Sequence, residues 1–239
     1  MNRYLSVCGL FVFASIASPS MAGSKVDPEA LRIKELHRPA FPVTLLARGI
    51  SSGKAVAVVS IDPDGRAVDN LVVAYTQPEF ARSALEVLKN SLFVPIEING
   101  EPAAIRARIN LAFDAEGVVI SLTAMEGATV WLDRVYGQRT TSKMGKLAEL
   151  DQAPAATHTV QPRYPAALAK QKISGRAMID FYVDENGKVR MPTRVRSDHD
   201  AFAEASADAL MGWQFAPLTR HGEPVIVQMR QEFVFNPKS

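Results

Sequence analysis

Residues 161–235 read QPRYPAALAKQKISGRAMIDFYVDENGKVRMPTRVRSDHDAFAEASADALMGWQFAPLTRHGEPVIVQMRQEFVF, and the patterning of this stretch decides the fold. Behind Tyr164-Pro165, residues 165–173 predict a short helix stopped at Gly175. Ala177, Ile179, Phe181 and Val183 alternate with Met178, Asp180 and Tyr182, the period of a strand with one buried face. Asn186-Gly187 offers the positive φ angles of a tight hairpin. Phe202, Ala205, Ala209 and Trp213 share one helical face, so that helix lies on the sheet. Val225, Val227, Met229, Phe233 and Phe235 then line one side of a closing strand. The order helix, strand, strand, helix, strand predicts an α+β unit: two helices on a roughly three-stranded antiparallel sheet.

The same unit stands upstream. Shifted forward by 122 positions, Gly65 falls on Gly187, Phe80 on Phe202, Phe93 on Phe215, Pro95 on Pro217 and Phe113 on Phe235. Gly100-Glu101-Pro102 falls on Gly222-Glu223-Pro224, and one extra residue before Gly53 brings Phe41-Pro42 onto Tyr164-Pro165. Turn glycines and helix anchors in one register imply two tandem copies. In the first, residues 54–75 predict a hairpin about Asp64-Gly65, and Thr76 with Glu79 has the form of a capping box. Ala81, Ala84, Leu85, Leu88 and Leu92 predict the helix, Asn99-Gly100 a turn, and alternation from Ile105 to Phe113 a strand. Arg106 and Arg108 read as its solvated face. Around Glu29 to Leu36 one or two helical turns are expected. Residues 115–157 predict one added strand and a polar linker, and Trp131 and Tyr136 are expected to pack under the first unit. The layout is a leader at 1–22, a lead-in at 23–38, the first unit at 39–114, the added strand and linker at 115–157, and the second unit at 158–239.

Arg3, an apolar run from Leu5 to Ala17, Pro19 and then Ser20-Met21-Ala22 have the form of a secretory leader cleaved after Ala22. Retention of residues 5–17 as an inner-membrane anchor is the alternative. Cys8, the single cysteine, lies near the start of the run, whereas a lipid-bearing cysteine would follow it. Cleavage would leave a chain without disulfide or thiol chemistry. The 27 basic and 25 acidic side chains give a net charge of +2, which creates no field calling for nucleic acid.

No catalytic constellation is legible. His37, His158, His199 and His221 show no metal-ligand spacing. Asp198-His199-Asp200 precedes a helix, where either aspartate serves as an N-cap. The loops from Asp62 and Asp184 resemble the start of a calcium loop but lack its distant glutamate. There is no phosphate-binding glycine loop and no nucleophile elbow. The sequence therefore predicts no enzyme, metal, cofactor or small-molecule substrate.

On QPRYP, the Gly175 before the first strand, VDENGKV, ALMGWQFAP and the closing strand after Gly222, residues 161–235 resemble the C-terminal domain of TonB, the periplasmic energy-transducing protein of Gram-negative bacteria. The first unit resembles a diverged member, with Phe41-Pro42 for the Tyr-Pro pair and Ser91 where the second unit has Trp213. The resemblance implies that an extended segment of an outer-membrane receptor, or of another envelope protein, pairs with the edge of the last strand near QPRYP. Carried over residue by residue, it points to Gln161, Pro162, Arg163, Tyr164 and Pro165. On the strand it points to Val225, Ile226, Val227, Gln228, Met229, Arg230, Gln231 and Glu232. Strand addition is physically sensible, since a small sheet presents unpaired N–H and C=O groups at its edges. The Gln161 amide can both donate and accept, and Tyr164 offers a face with a polar tip. Tyr164-Pro165 also reads as the packed start of a helix.

A complete TonB spans the periplasm on a proline-rich spacer. Here 15 prolines are spread over the chain, and a folded unit stands where the spacer would be. A soluble periplasmic adaptor in TonB-dependent transport is therefore expected. The alternatives are a structural envelope protein that self-associates, as a homodimer, through the same edges, and a membrane-anchored energy transducer.

Overall fold

The computed structural model describes residues 32–37, 41–98, 100–115, 117–122 and 141–237. The expected leader and its expected cleavage site after Ala22, together with Trp131 and Tyr136, lie outside the described residues. The chain forms two compact units, each α+β, joined near residue 145.

In the first unit, α1 (Val43–Leu46) leads to β1 (Ser52–Ile61), β2 (Ala67–Tyr75), α2 (Pro78–Asn90), β3 (Ile105–Asp114) and β4 (Gly117–Leu122). The antiparallel sheet runs β4-β3-β1-β2, and the two-residue strand Thr141–Ser142 lies beyond β2. β1 and β3 pair without a slip from Ser52↔Asp114 to Ile61↔Ile105. That register puts Ala55, Ala57, Val59 and Ile61 on one face with Ile109, Leu111 and Phe113. Phe80, Ala84, Val87 and Leu88 of α2 cover this face. The helical stripe is thus rotated from the one predicted, because Phe80 anchors it against Phe113 at 5.1 Å while Leu85 is 41% exposed.

The expected capping box does not form. Gln77 stands at the N-cap without a side-chain bond, and Pro78 in the first turn removes one of the donors a cap would serve. Thr76 Oγ1 instead accepts from the Lys54 N–H at 2.9 Å, latching the sheet to the start of the helix. Glu79 is ion-paired to Arg48 at 3.4 Å. Ile33–Glu35 is not helical but a short strand paired with Leu92–Phe93.

The second unit runs α3 (Ala166–Lys170), β5 (Gly175–Val183), β6 (Val189–Ser197), α4 (Asp200–Met211) and β7 (Ile226–Phe235). Its sheet order is β7-β5-β6, and the two-residue strand Met144–Gly145 lies outside β7. β5 and β7 pair unbroken from Gly175↔Phe235 to Val183↔Val227. Phe202 of α4 stacks on Phe235 at 4.3 Å, and Leu210, Trp213, Phe181 and Phe233 complete the core. Burying one such aromatic contributes about 2–3 kcal/mol.

α3 stops at Lys170, short of the predicted Ile173. Lys172 turns to φ 53°, and the Ile173 N–H closes on the Leu168 carbonyl at 3.0 Å. His199, not Asp198 or Asp200, is the N-cap residue of α4, and it makes no capping bond. Asp198 Oδ2 accepts from the Arg176 N–H at 2.8 Å, and Asp200 is ion-paired to Arg194. In the hairpin only Gly187, not Asn186, takes a positive φ, because Asp184 Oδ1 gathers the Asn186 and Lys188 N–H groups at 3.0 Å and holds the turn.

The duplication extends to individual bonds. Asp62 Oδ1 gathers the Asp64 and Arg66 N–H groups just as Asp184 does. The Phe93 N–H donates to Gly65 and the Phe215 N–H to Gly187, both at 2.8 Å. Thr76 and Asp198, 122 positions apart, both hold an N–H of the central strand at equivalent positions, Lys54 and Arg176. Ala156–His158 pairs with Gln214–Phe215 as Ile33–Glu35 does with Leu92–Phe93.

Candidate functional site

The QPRYP segment is an extended strap across the second unit. Trp213 Nε1 donates to the Val160 carbonyl at 2.9 Å, and a side chain at Gly212 would meet Val160 Cγ2 at 2.7 Å, so the strap is held against the end of α4. Tyr164 ends the strap. Its ring meets Phe202 and Phe235 edge-on at 5.7 and 5.8 Å, and its hydroxyl donates to the Ile173 carbonyl. Both face and polar tip are engaged within the unit. Pro165 is the N-cap residue of α3 at φ −60°, a proline angle that suits a helix start. Gln161 and Arg163 are exposed, with half-buried Pro162 between them.

Between the strap and α4 runs a groove of about 640 Å³, lined on the helix side by Ala201, Glu204, Ala205, Asp208 and Ala209. No residue of β7 lines it. The strap meets β7 at Phe235, past the stretch from Val225 to Glu232. The strap and strand residues selected from sequence therefore belong to two different surfaces.

The side chains of Val225, just before β7, and of Ile226, Val227 and Met229 on it are buried in the unit, so those residues can offer a partner only their backbone. Gln228, Arg230 and Gln231 are half-buried, and Glu232 is exposed. Arg230 is tied to Asp180 on β5, with Nε donating to Oδ1 at 2.6 Å and Nη2 to Oδ2 at 2.9 Å. This carboxylate holds the Arg230 guanidinium above its ordinary range. Glu232 lies 3.7 Å from Arg176.

The two outer edges of this sheet differ in kind. β6 carries Pro192 beside Met191 at φ 50°, with Arg190, Arg194 and Arg196 along it. Proline, irregular backbone and charge are the usual means of blunting an edge. β7 has no proline, and its only outer neighbour among the described residues is Met144–Gly145. In the first unit the equivalent edge, that of β3, is covered by six-residue β4 from Ile109↔Leu122 to Asp114↔Gly117.

Among the described residues no group of three or more His, Cys, Asp or Glu could hold a metal ion, and no helix is long and apolar enough to cross a membrane. The outer face of α4 was missed in the sequence. Its signal, alanines at 201, 205 and 209, reads equally as a core stripe, yet half-buried Ala205 lines the groove.

The profile of a family described as Gram-negative bacterial TonB protein C-terminal matches residues 37–115 and 160–237. A protein named Protein TonB, from Vibrio cholerae serotype O1, is 29% identical over 77 residues, which is 32% of this chain and 32% of that protein. The chain thus aligns with about a third of that relative's length. A solution NMR structure of the Pseudomonas aeruginosa TonB CTD is 22% identical with a TM-score of 0.30, covering 37% of this chain and 89% of that one.

Proposed function

Because the chain belongs, through both of its units, to the TonB C-terminal family of Gram-negative bacteria, we propose that its second unit binds an extended segment of an outer-membrane receptor or other envelope protein by strand addition along β7. Domains of this family mediate protein interaction in TonB-dependent transport, and the family is envelope-associated and not enzymatic. The chain acts in the periplasm as an adaptor, with the first unit as its folded support and the second as its reader.

One observation supports this reading above the others. β4 lies antiparallel on β3 over six residues, and 122 positions on, the same edge of β7 is left to a two-residue neighbour. The first unit thus offers, within the same chain, a pattern for the strand we propose a partner adds to the second. By that equivalence the docking stretch centres on Gln231 to Phe235, overlapping the expected set at Gln231 and Glu232. An added strand of six residues makes about six main-chain hydrogen bonds of order 1 kcal/mol net each. Ordering the segment costs about 1–2 kcal/mol per residue. The backbone alone therefore gives weak binding, and side-chain recognition must supply the rest.

The test is site-specific photo-crosslinking. A benzoylphenylalanine at Glu232 should capture an outer-membrane protein, and the same group at Arg196 on β6 should not. Capture from Arg196 alone would refute the reading. Gln231→Pro and Glu232→Pro add a backbone control, since one removes a donor to β5 and the other a donor to the partner. One variant should fold and lose capture; if both fold and both still capture, strand addition is wrong. A crosslink only to a second copy would favour the self-associating envelope protein.

A further inference from the structure

We infer that the groove between the strap and α4 is a docking site for a lysine or arginine side chain of an extended protein segment. It rests on the reading above only in taking the ligand to be protein, and it uses a different surface.

The trough exists because three positions facing the strap are alanines, Ala201, Ala205 and Ala209. Glu204 and Asp208 stand over it one turn apart, both exposed, and neither has an ion-pair partner among the described residues. Like charges at this spacing repel, and a cation between them relieves the repulsion. Arg163 on the opposite bank pairs with neither.

The first unit supplies the template. Glu86 is the counterpart of Asp208, and His37, by the one-residue offset before Gly53, is the counterpart of Val160. There His37 Nε2 lies 3.6 Å from Glu86 Oε1, so a nitrogen base at the Val160 position meets the helix carboxylate. Ala201 and Ala205 correspond to Glu79 and Ser83, and Glu79 is engaged by Arg48. The first unit thus pairs charged side chains of its own at the equivalent positions. In the second unit Val160 has no charge to offer, the alanines leave the trough open, and the carboxylates are left for a cation from outside.

The strap also offers backbone. Gln161 and Arg163 make no main-chain hydrogen bond among the described residues, and Pro162 between them has no N–H. In an extended segment residues two apart present these groups on the same side, so the strap can pin a peptide backbone while α4 reads its side chain.

The test uses the full chain with ¹³C-labelled alanine methyls and ¹⁵N-labelled backbone amides. The probe is a blocked seven-residue peptide of alternating threonine and valine with a central lysine, compared with its norleucine-centred twin. The lysine peptide should shift the Ala201 and Ala205 methyls and bind roughly three- to tenfold more tightly than the twin. That preference should shrink with added salt and vanish in the Glu204→Gln/Asp208→Asn double variant. Equal affinity of the twins, or a preference that survives in the double variant, overturns the inference. Shifts confined to β7 amides would sink it while upholding strand addition, whereas alanine shifts without β7 shifts would do the reverse. Alanine shifts that grow with protein concentration before any peptide is added would assign the groove to a second copy and overturn the inference as well.

Discussion

Gly187→Ala should be far more damaging than Gly222→Ala, although both glycines have φ 78°. The left-handed backbone costs an alanine about 1–2 kcal/mol at either place. At Gly222 nothing lies within 4 Å of the added Cβ, so that conformational cost is the whole effect. At Gly187 the Cβ would fall 2.0 Å from the Phe215 carbonyl oxygen. Ordinary contact requires the two to part by more than about 1 Å, since carbon–oxygen approaches below about 3.2 Å are repulsive. The Phe215 N–H bond to Gly187, now 2.8 Å, is lost in that movement at about 1 kcal/mol, and buried Phe215 loosens. With about 1 kcal/mol more for the loosened packing of Phe215, the sum is about 3–4 kcal/mol for Gly187→Ala against about 1–2 for Gly222→Ala. For a unit of this size these correspond to losses in Tm of about 15 °C or more and about 5–10 °C. Urea and thermal unfolding, with hydrogen exchange read at β5 to isolate the second unit, measure both. Equal losses would show that the approach to Phe215 does not constrain the hairpin.

Asp180→Ala leaves the half-buried Arg230 without its carboxylate and should cost about 2–3 kcal/mol, most of it recovered by adding Arg230→Met, in a double-mutant cycle by urea unfolding. Trp213→Phe leaves the Val160 carbonyl unanswered; a loss of about 1–2 kcal/mol and lower backbone order parameters at Val160, Gln161 and Arg163 are expected, and unchanged order parameters would deny the indole its role in holding the strap. Lys54 is 7% exposed, and burial pushes its ammonium from 10.5 down to about 8. Between those values the unfolded chain binds the more protons, so stability rises with pH across about 8 to 10.5. Lys54→Met should flatten that rise and add of order 2 kcal/mol at neutral pH, as followed by denaturant titration at several pH values.

What was legible in the sequence was what repeats or alternates. Phe80 and Phe202, Gly65 and Gly187, and the strand phases to Phe113 and Phe235 each occur twice in one register, and a fold that buries one sheet face must keep that register. What was not legible is bonding between distant segments. Thr76 and Asp198 look like helix caps because their neighbours in sequence are helical. Their partners, the N–H groups of Lys54 and Arg176, are 22 residues away and reached only after the hairpin closes. Ile33–Glu35 reads as helical for the same reason, because its partner Leu92–Phe93 lies across the whole unit. On α4 the alanines at 201, 205 and 209 cannot announce by themselves whether they face a core or a groove. The strap that decides it is fixed by Trp213, four residues beyond Ala209.

The differences between the two copies bear on self-association. Strand pairing between copies is blocked at an edge that carries proline or irregular backbone, and charge weakens it. In the second unit β6 is such an edge, at Met191-Pro192 and its arginines, and in the first unit β3 is covered by β4 while β2 carries Asp69-Asn70 at the positions of Met191-Pro192. Among the described residues this leaves the edge of β7 and the outer edge of β4, whose sequence GVVISL has neither proline nor charge. A chain that pairs with itself through β7 alone closes as a two-fold dimer and cannot propagate. Occupation by a partner's strand and dimerisation then compete for the same backbone groups. A peptide that adds to β7 must dissociate any dimer, and the apparent affinity for that peptide should weaken as protein concentration rises. Capture that is independent of protein concentration across the dimer's dissociation range would place the two events on different edges.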